Sequence, residues 1–258
     1  MIAPSSNKNS KTETKDNLVI CGIRPVMEAL AAGRTIDKVM LQNGLFGQLL
    51  SELKVKLHEA GVPVQFVPVE KLNRTTKANH QGVVALISPI SYHSFANMIE
   101  EAEWKSESPM MVMLYHVTDV RNLGAIARSA ECAGIEGIIV PKHGSAQIGD
   151  EAVKSSSGAL LRVPVCREDN LKSVIHLARQ SGWQVCAATE KCDNLYTNID
   201  FHKPTILVMG AEETGISNEL MKLCNERAKL PMKGEVQSLN VSVAAALFFY
   251  EALRQKTE

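Results

Sequence analysis

Residues 110–141 read "MMVMLYHVTDVRNLGAIARSAECAGIEGIIVP". An apolar run passes through a short polar loop into a helix-length segment, Gly134 closes that segment, and a second apolar run follows. Neither run alternates apolar with polar residues, so neither strand has a face meant for water. Continuous runs of this kind are what a parallel sheet covered by helices on both faces requires. Strand, helix and strand together predict a βαβ unit. The pattern recurs downstream in "RVPV" (162–165), "WQVCAA" (183–188), "TILVMG" (205–210) and "RAKLPM" (227–232). Helices are predicted over 122–134, 150–160, 170–181, 216–225 and 239–256. The segment from Pro109 to the C-terminus is therefore read as a doubly wound α/β domain.

Upstream the texture changes. "DKVMLQ" (37–42), "VPVQFV" (62–67) and "GVVALISP" (82–89) are short apolar runs bounded by Gly and Pro, which predict strands. Between them "RPVMEALAAG" (24–33) and "GQLLSELKVKLHEAG" (47–61) have helical spacing, and each ends in a glycine suited to a C-terminal cap. These elements predict a small α/β domain over 17–90. The stretch "SYHSFANMIEEAEWKSESP" (91–109) is polar and acidic and ends in Ser-Pro, so 91–108 is read as a linker holding one helix. Residues 1–16, "MIAPSSNKNSKTETKD", are polar with no apolar core, which predicts a disordered tail rather than a signal peptide.

Composition narrows the function classes. The chain has 258 residues, 45% of them hydrophobic, and 28 basic residues against 28 acidic ones. It can bury a core, and its net charge gives no general attraction to polyanions, so phosphate binding needs a local patch. The longest apolar run, Val241 to Tyr250, is about half of the ~20 residues a membrane span needs. The six cysteines lack a CxxC pair or histidines at ligand spacing, which predicts neither a zinc site nor a disulfide framework. A soluble protein of the reducing cytoplasm, with no metal, is the expectation.

In doubly wound sheets ligands sit outside the carboxyl ends of the strands, so the loops after the apolar runs are where chemistry is sought. Three stand out. In "HVTDVRNLGAIARSAECAG" (116–134), Asn122, Gly124 and Arg128 follow a strand, and the spacing puts Asn122 and Arg128 near one helix face. The alternative is a helix cap followed by a solvated arginine. In "LVMGAEETGIS" (207–217), a strand runs into Gly210 with Glu212 and Glu213 beside it. Those carboxylates would repel a phosphate, so the loop suits a neutral or cationic ligand, or else is only a tight turn. In "LPMKGEVQSLNVSVAAALFF" (230–249), Ser238 reads as a helix cap, whereas Asn240 enters an apolar helix where a buried amide must find partners.

The three loops, in this order, resemble the SpoU/TrmH group of RNA ribose 2'-O-methyltransferases, within the SPOUT class. "NLGAIARSA" is similar to the group's first motif, "VMGAEETG" to its second and "LPMKGEVQSLNVSVAAA" to its third. "GIRPVMEAL" (22–30) and "HQGVVA" (80–85) resemble the L30e-like substrate-binding domain of members that act on large-subunit ribosomal RNA. With "VPKHGSAQ" (140–147), the chain looks most like the members that methylate a guanosine ribose of 23S rRNA. Tyr115-His116 stands where such sequences carry Asp-Gly, and Val120-Arg121 where Pro-His is usual. Both departures flank the first loop and bear on the target nucleotide.

The resemblance implies a C-terminal α/β-knot domain, a trefoil-knotted parallel sheet, and a homodimer with its active site near the interface. It implies S-adenosyl-L-methionine as methyl donor, walled by Thr189, Gly210, Gly215, Leu230, Met232 and Leu239, and RNA as acceptor. Arg128 matches the catalytic arginine. Because a guanidinium keeps its proton, orienting the 2'-oxygen is the easier role for it than acting as a base. Asn122 would hold the arginine or the ribose, Glu212 would fix its loop, and Ser238 and Asn240 would position the hydroxyl or the arginine. In the small domain Arg24, Arg74, Lys77 and His80 would meet RNA. The same reaction on tRNA, another rRNA position, or an inactive RNA-binding homologue are the alternatives.

Overall fold

The computed structural model describes residues 19–211, 213–235 and 238–257. The chain divides into two units between Pro89 and Ile90.

Among the described residues the first unit is a four-stranded sheet with three helices. Strands β1 (Val19–Cys21), β2 (Ile36–Gln42), β3 (Val64–Val67) and β4 (Val83–Ile87) lie in the order β1-β4-β2-β3. β4 is antiparallel to β1 and β2, and β2 is parallel to β3. Helix α1 (Ile23–Ala31), α2 (Gln48–Glu59) and α3 (Val69–Thr75) complete it. Val26, Val39, Leu41, Leu50, Leu53, Leu57 and Val83 form its main core. The expected glycine stops hold, since Gly33 and Gly61 take φ 68° and 63° just past their helices, a conformation that suits glycine.

The second unit is a seven-stranded sheet in the order β11-β9-β10-β6-β7-β8-β5, with every pairing parallel. Its strands are β5 (Tyr92–His93), β6 (Met110–Leu114), β7 (Gly137–Pro141), β8 (Val165–Glu168), β9 (Gln184–Ala188), β10 (Thr205–Met209) and β11 (Glu226–Ala228). Its helices are α4 (Phe95–Lys105), α5 (Val120–Cys132), α6 (Asp150–Ser155), α7 (Leu171–Gln180), α8 (Asn218–Leu223) and α9 (Val241–Thr257). All residues of β6, β7 and β10 are buried, which is the two-sided burial that their unbroken apolar runs demand. One core joins Leu123, Ile126, Leu207, Ala245, Phe248 and Phe249, and the other joins Met98, Ile139, Ile175, Trp183 and Val208. Among the described residues no helix is long and apolar enough to cross a membrane.

One expectation needs correcting. Residues 91–108 are not a linker but part of the second unit: β5 pairs β8, and α4 buries Phe95, Met98, Ile99 and Ala102. The segment looked polar because one helix face carries Glu100, Glu101 and Lys105 outward. The apolar face opposite is anchored by Trp183, whose Nε1 donates to Glu103 Oε1 at 2.7 Å. The tail expected over 1–16 lies outside the described residues.

Candidate active site

The chain runs β6, β7, β8 toward one side of the sheet, and β9 and β11 lie on the other, with β10 inserted between β9 and β6. The carboxyl ends of β11, β9, β10 and β6 are thus side by side at the place where strand order reverses, which is where such sheets bind ligands. Each carries one of the expected residues. Thr189 follows β9, Gly210 follows β10, Leu230 follows β11, and the first loop follows β6.

The first loop is tied down at both ends. Tyr115 N donates to Met209 O at 2.8 Å, which extends the β6–β10 pairing by a residue. Asp119 caps α5, its Oδ1 accepting from Arg121 N at 2.6 Å and Asn122 N at 3.1 Å. The cap is therefore Asp119, and Asn122 lies in the first turn. Gly124 is where α6 crosses: a Cβ there would sit 1.9 Å from Ser155 Oγ. Only a glycine allows that approach.

The third loop leads into α9. The sequence assigned the cap of this helix to Ser238, but the helix begins at Val241, and Asn240 takes the cap. Its carbonyl accepts from Ala244 N at 3.0 Å, and its Oδ1 accepts from Ser242 N at 2.9 Å and Ser242 Oγ at 2.6 Å. Asn240 Nδ2 in turn donates to Asn122 Oδ1 at 3.0 Å. One amide thus closes α9 and fastens it to α5. Two helix N-termini meet there, each bringing partial positive charge.

The second loop turns back on itself. Gly215 N donates to Ala211 O at 2.9 Å, and a Cβ at Gly210 would fall 2.4 Å from the Gly215 carbonyl carbon. Gly210 is thus fixed by crowding, whereas Gly215 is fixed by its φ of 64°. Glu212 lies outside the described residues. The three loops converge on a cavity of about 300 Å³ lined by His116, Val117, Thr118, Asp119, Asn122, Ala211, Glu213, Thr214 and Val241.

Thr189 is buried, with its amide donating to Ala228 O at 2.9 Å. Leu230 packs on the core, and Met232 and Leu239 stay 41% and 38% exposed, leaving apolar surface at this edge of the sheet. Ser238 is exposed. Arg128 is exposed too and lies outside the cavity lining. At 100° per residue, six positions carry it about 240° from Asn122, so the near-common face expected for the pair does not exist. Among the described residues no group of His, Cys, Asp and Glu could hold a metal ion. His116 entered the sequence reading only as a departure from a pattern. Its place in the cavity depends on a backbone φ of 57°, which side-chain spacing does not reveal.

In the first unit Arg24, Arg74 and Lys77 are exposed. They belong to one end of the small sheet, where Gly22 N donates to Val83 O at 2.9 Å and Cys21 Sγ meets Thr76 Oγ1 at 3.9 Å. His80 differs from the expectation. It is buried, its Nε2 donates to Asn73 Oδ1 at 2.9 Å and its Nδ1 accepts from Gly82 N at 3.0 Å. With both ring nitrogens engaged, it shapes the turn and has none to offer RNA.

Comparison with known proteins covers both units. The model of the SpoU rRNA Methylase family matches residues 109–250, and that described as RNA 2'-O ribose methyltransferase substrate binding matches residues 19–93. A provisionally named TrmH family tRNA/rRNA methyltransferase of Staphylococcus haemolyticus is 36% identical over 241 residues, 93% of this chain and 97% of that protein. Its counterpart in Staphylococcus aureus strain MSSA476 is 34% identical over the same shares. The AdoMet-bound rRNA methyltransferase of Sinorhizobium meliloti superposes with a TM-score of 0.59 at 26% identity, over 95% of this chain and 90% of its own. A TrmH/SpoU tRNA modifying enzyme of A. aeolicus, at 26% identity and a TM-score of 0.54, covers 62% of this chain and 85% of its own.

Proposed function

The chain belongs to the SpoU rRNA methylase family, and from that premise we infer that it moves a methyl group from S-adenosylmethionine to a ribose 2'-hydroxyl of RNA, a guanosine of 23S rRNA. The observation that carries the reading is the meeting of the three loops at one cavity, joined by the Asn122–Asn240 bond. The residues present fit the donor. Its adenine needs an apolar wall and backbone partners, and Leu230, Met232 and Leu239 with the strand ends at Thr189 and Gly210 offer both. Gly215 keeps the second loop folded beside them, and the carboxylate of Glu213 suits a positive sulfonium better than a phosphate. When bound, the donor supplies a methyl group on a good leaving group.

The chain's own task is then alignment. Asn122 and Asn240 hold the acceptor ribose against the two helix N-termini, and Ser238 adds a hydroxyl partner. Glu212 steadies the second loop in the same reading. Arg128 orients the 2'-oxygen and stabilises the negative charge that develops on it. Because Arg128 is exposed and does not line the cavity of its own chain, it serves a second copy in this reading, and the functional unit is a homodimer. The exposed stripe of Val243, Leu247 and Tyr250 along α9, at helical spacing, supplies an apolar face for that pairing. Arg24, Arg74 and Lys77 hold RNA through phosphate and sugar, contacts that position a substrate without reading its sequence.

Ribosomal RNA is favoured over tRNA by coverage: the rRNA methyltransferase of Sinorhizobium meliloti spans both units, while the tRNA modifying enzyme of A. aeolicus matches 62% of the chain. Arg128→Ala is expected to keep its calorimetric affinity for S-adenosylmethionine and to lose about 10²–10³-fold in methyl transfer. Unchanged transfer would remove Arg128 from the mechanism. Mapping 2'-O-methyl groups in rRNA and tRNA of a deletion strain tests the target, and loss at a tRNA site alone would overturn the ribosomal assignment.

A further inference from the structure

The reaction inferred above releases a proton from the 2'-hydroxyl, and no group assigned so far can take it, since a guanidinium has no free lone pair. The cavity contains one that can. His116 is a non-glycine residue at φ 57°, a conformation rare for L-residues, and such outliers gather where a side chain must be aimed at a task. Two contacts hold its ring. Nδ1 lies 3.1 Å from the Gly144 carbonyl oxygen, and Tyr115 packs edge-on with centroids 4.3 Å apart. Gly144, itself at φ 75°, leaves room for the imidazole: a Cβ there would fall 2.4 Å from Nδ1. A carbonyl oxygen only accepts, so Nδ1 carries the hydrogen and Nε2 of the neutral ring keeps its lone pair.

The other titratable groups around the ring fit the task less well. Asp119 lines the same cavity, but its Oδ1 accepts from two backbone amides of α5. Glu213 is exposed on the second loop, Tyr115 is the ring's edge-on packing partner, and His143 is the exposed neighbour of Gly144 in the loop that receives the Nδ1 bond.

We propose that His116 Nε2 accepts the proton of the acceptor 2'-hydroxyl. The ribose oxygen bonds to the methyl carbon while the bond from that carbon to sulfur breaks, its electron pair remaining on sulfur. The O–H pair stays with the ribose oxygen, and the proton passes to Nε2. The resulting imidazolium keeps its Nδ1 bond to Gly144 and returns the proton to water, to which the residue is exposed. This role rests on the methyltransferase reading above.

The test uses the full chain with His116→Gly, which suits the backbone conformation, and His116→Asn, which tolerates it and accepts no proton near neutrality. Long-range proton–nitrogen correlation on the protein without ligands reads the tautomer directly, and the Nδ1–H form is expected. Calorimetry with S-adenosylmethionine and with an RNA fragment is expected to give affinities close to wild type for both variants. Single-turnover methyl transfer is expected to fall by about 10²–10⁴-fold, to lose the acid limb of its pH profile, and in the glycine variant to recover with added imidazole. A Nε2–H tautomer, or transfer in His116→Gly within about threefold of wild type with an unchanged pH profile, would overturn the role. A wild-type chain that methylates no RNA would sink the reaction itself, whereas an active wild type beside an equally active glycine variant would sink only the part given to His116.

Discussion

Asn240 is engaged through both ends of its amide, Oδ1 by the first turn of α9 and Nδ2 by Asn122. These two engagements can be separated by substitution. Asn240→Asp keeps an acceptor for Ser242 and loses the donor, so its stability should stay within about 0.5 kcal/mol of wild type while methyl transfer falls. Asn240→Ala loses the cap as well and should cost about 1 kcal/mol more. Urea melts beside a transfer assay check both, and equal activity in the aspartate variant would break the link to Asn122. At this scale the sequence was partly legible. An amide at the mouth of an apolar helix demands partners, which singled out Asn240. Spacing alone could not say whether Ser238 or Asn240 caps, because the choice turns on where the backbone first becomes helical. His80 looked like an available ligand, since nothing in a local pattern reveals that Asn73 and Gly82 already occupy its ring.

Elements fare better, because their signals are repeated along the chain. The unbroken apolar runs of β6, β7 and β10 announced two-sided burial, and all were found buried. The segment holding α4 misled through its composition, although Phe95, Met98, Ile99 and Ala102 recur at helical spacing along one face. Glu136, just before β7, has its carboxyl raised above the usual 4.5 by burial, which outweighs the bond from Met110 N and the charge of Lys256 on α9. Burial lowers Lys256 in turn. A carboxyl whose folded value is raised contributes stability that is complete below 4.5 and is lost as pH rises through the folded value. Glu136→Gln keeps an acceptor for Met110 and cannot ionise. Its melting temperature relative to wild type should therefore climb as pH is raised from about 4 to 8, and a difference that stays flat would contradict the assignment.

For the whole molecule the boundary at Pro89 and Ile90 makes a prediction about excision. A chain cut at Ile90 retains β5 and α4, while one cut at Pro109 loses them. The second cut uncovers the surface under four buried side chains of α4 and strands the Trp183 indole without Glu103. At roughly 1.5–3 kcal/mol for each large apolar side chain, that loss rivals the entire stability of a typical domain, about 5–15 kcal/mol. Residues 90–258 should therefore melt cooperatively, and 109–258 should be unfolded or molten by near-UV circular dichroism. Cooperative melting of the shorter piece would restore the linker reading.

The insertion of β10 between β9 and β6 also dictates an order of events. Strands β6, β7 and β8 can pair as each is synthesised, but β9 has no earlier neighbour in the sheet and must wait for β10. Thr205 pairs with Met110, a loop of about 95 residues whose closure is slow compared with local contacts. Until it closes, the first loop and the other two belong to separate fragments. A nascent chain therefore has no assembled cavity until β10 and the start of α9 have both been added.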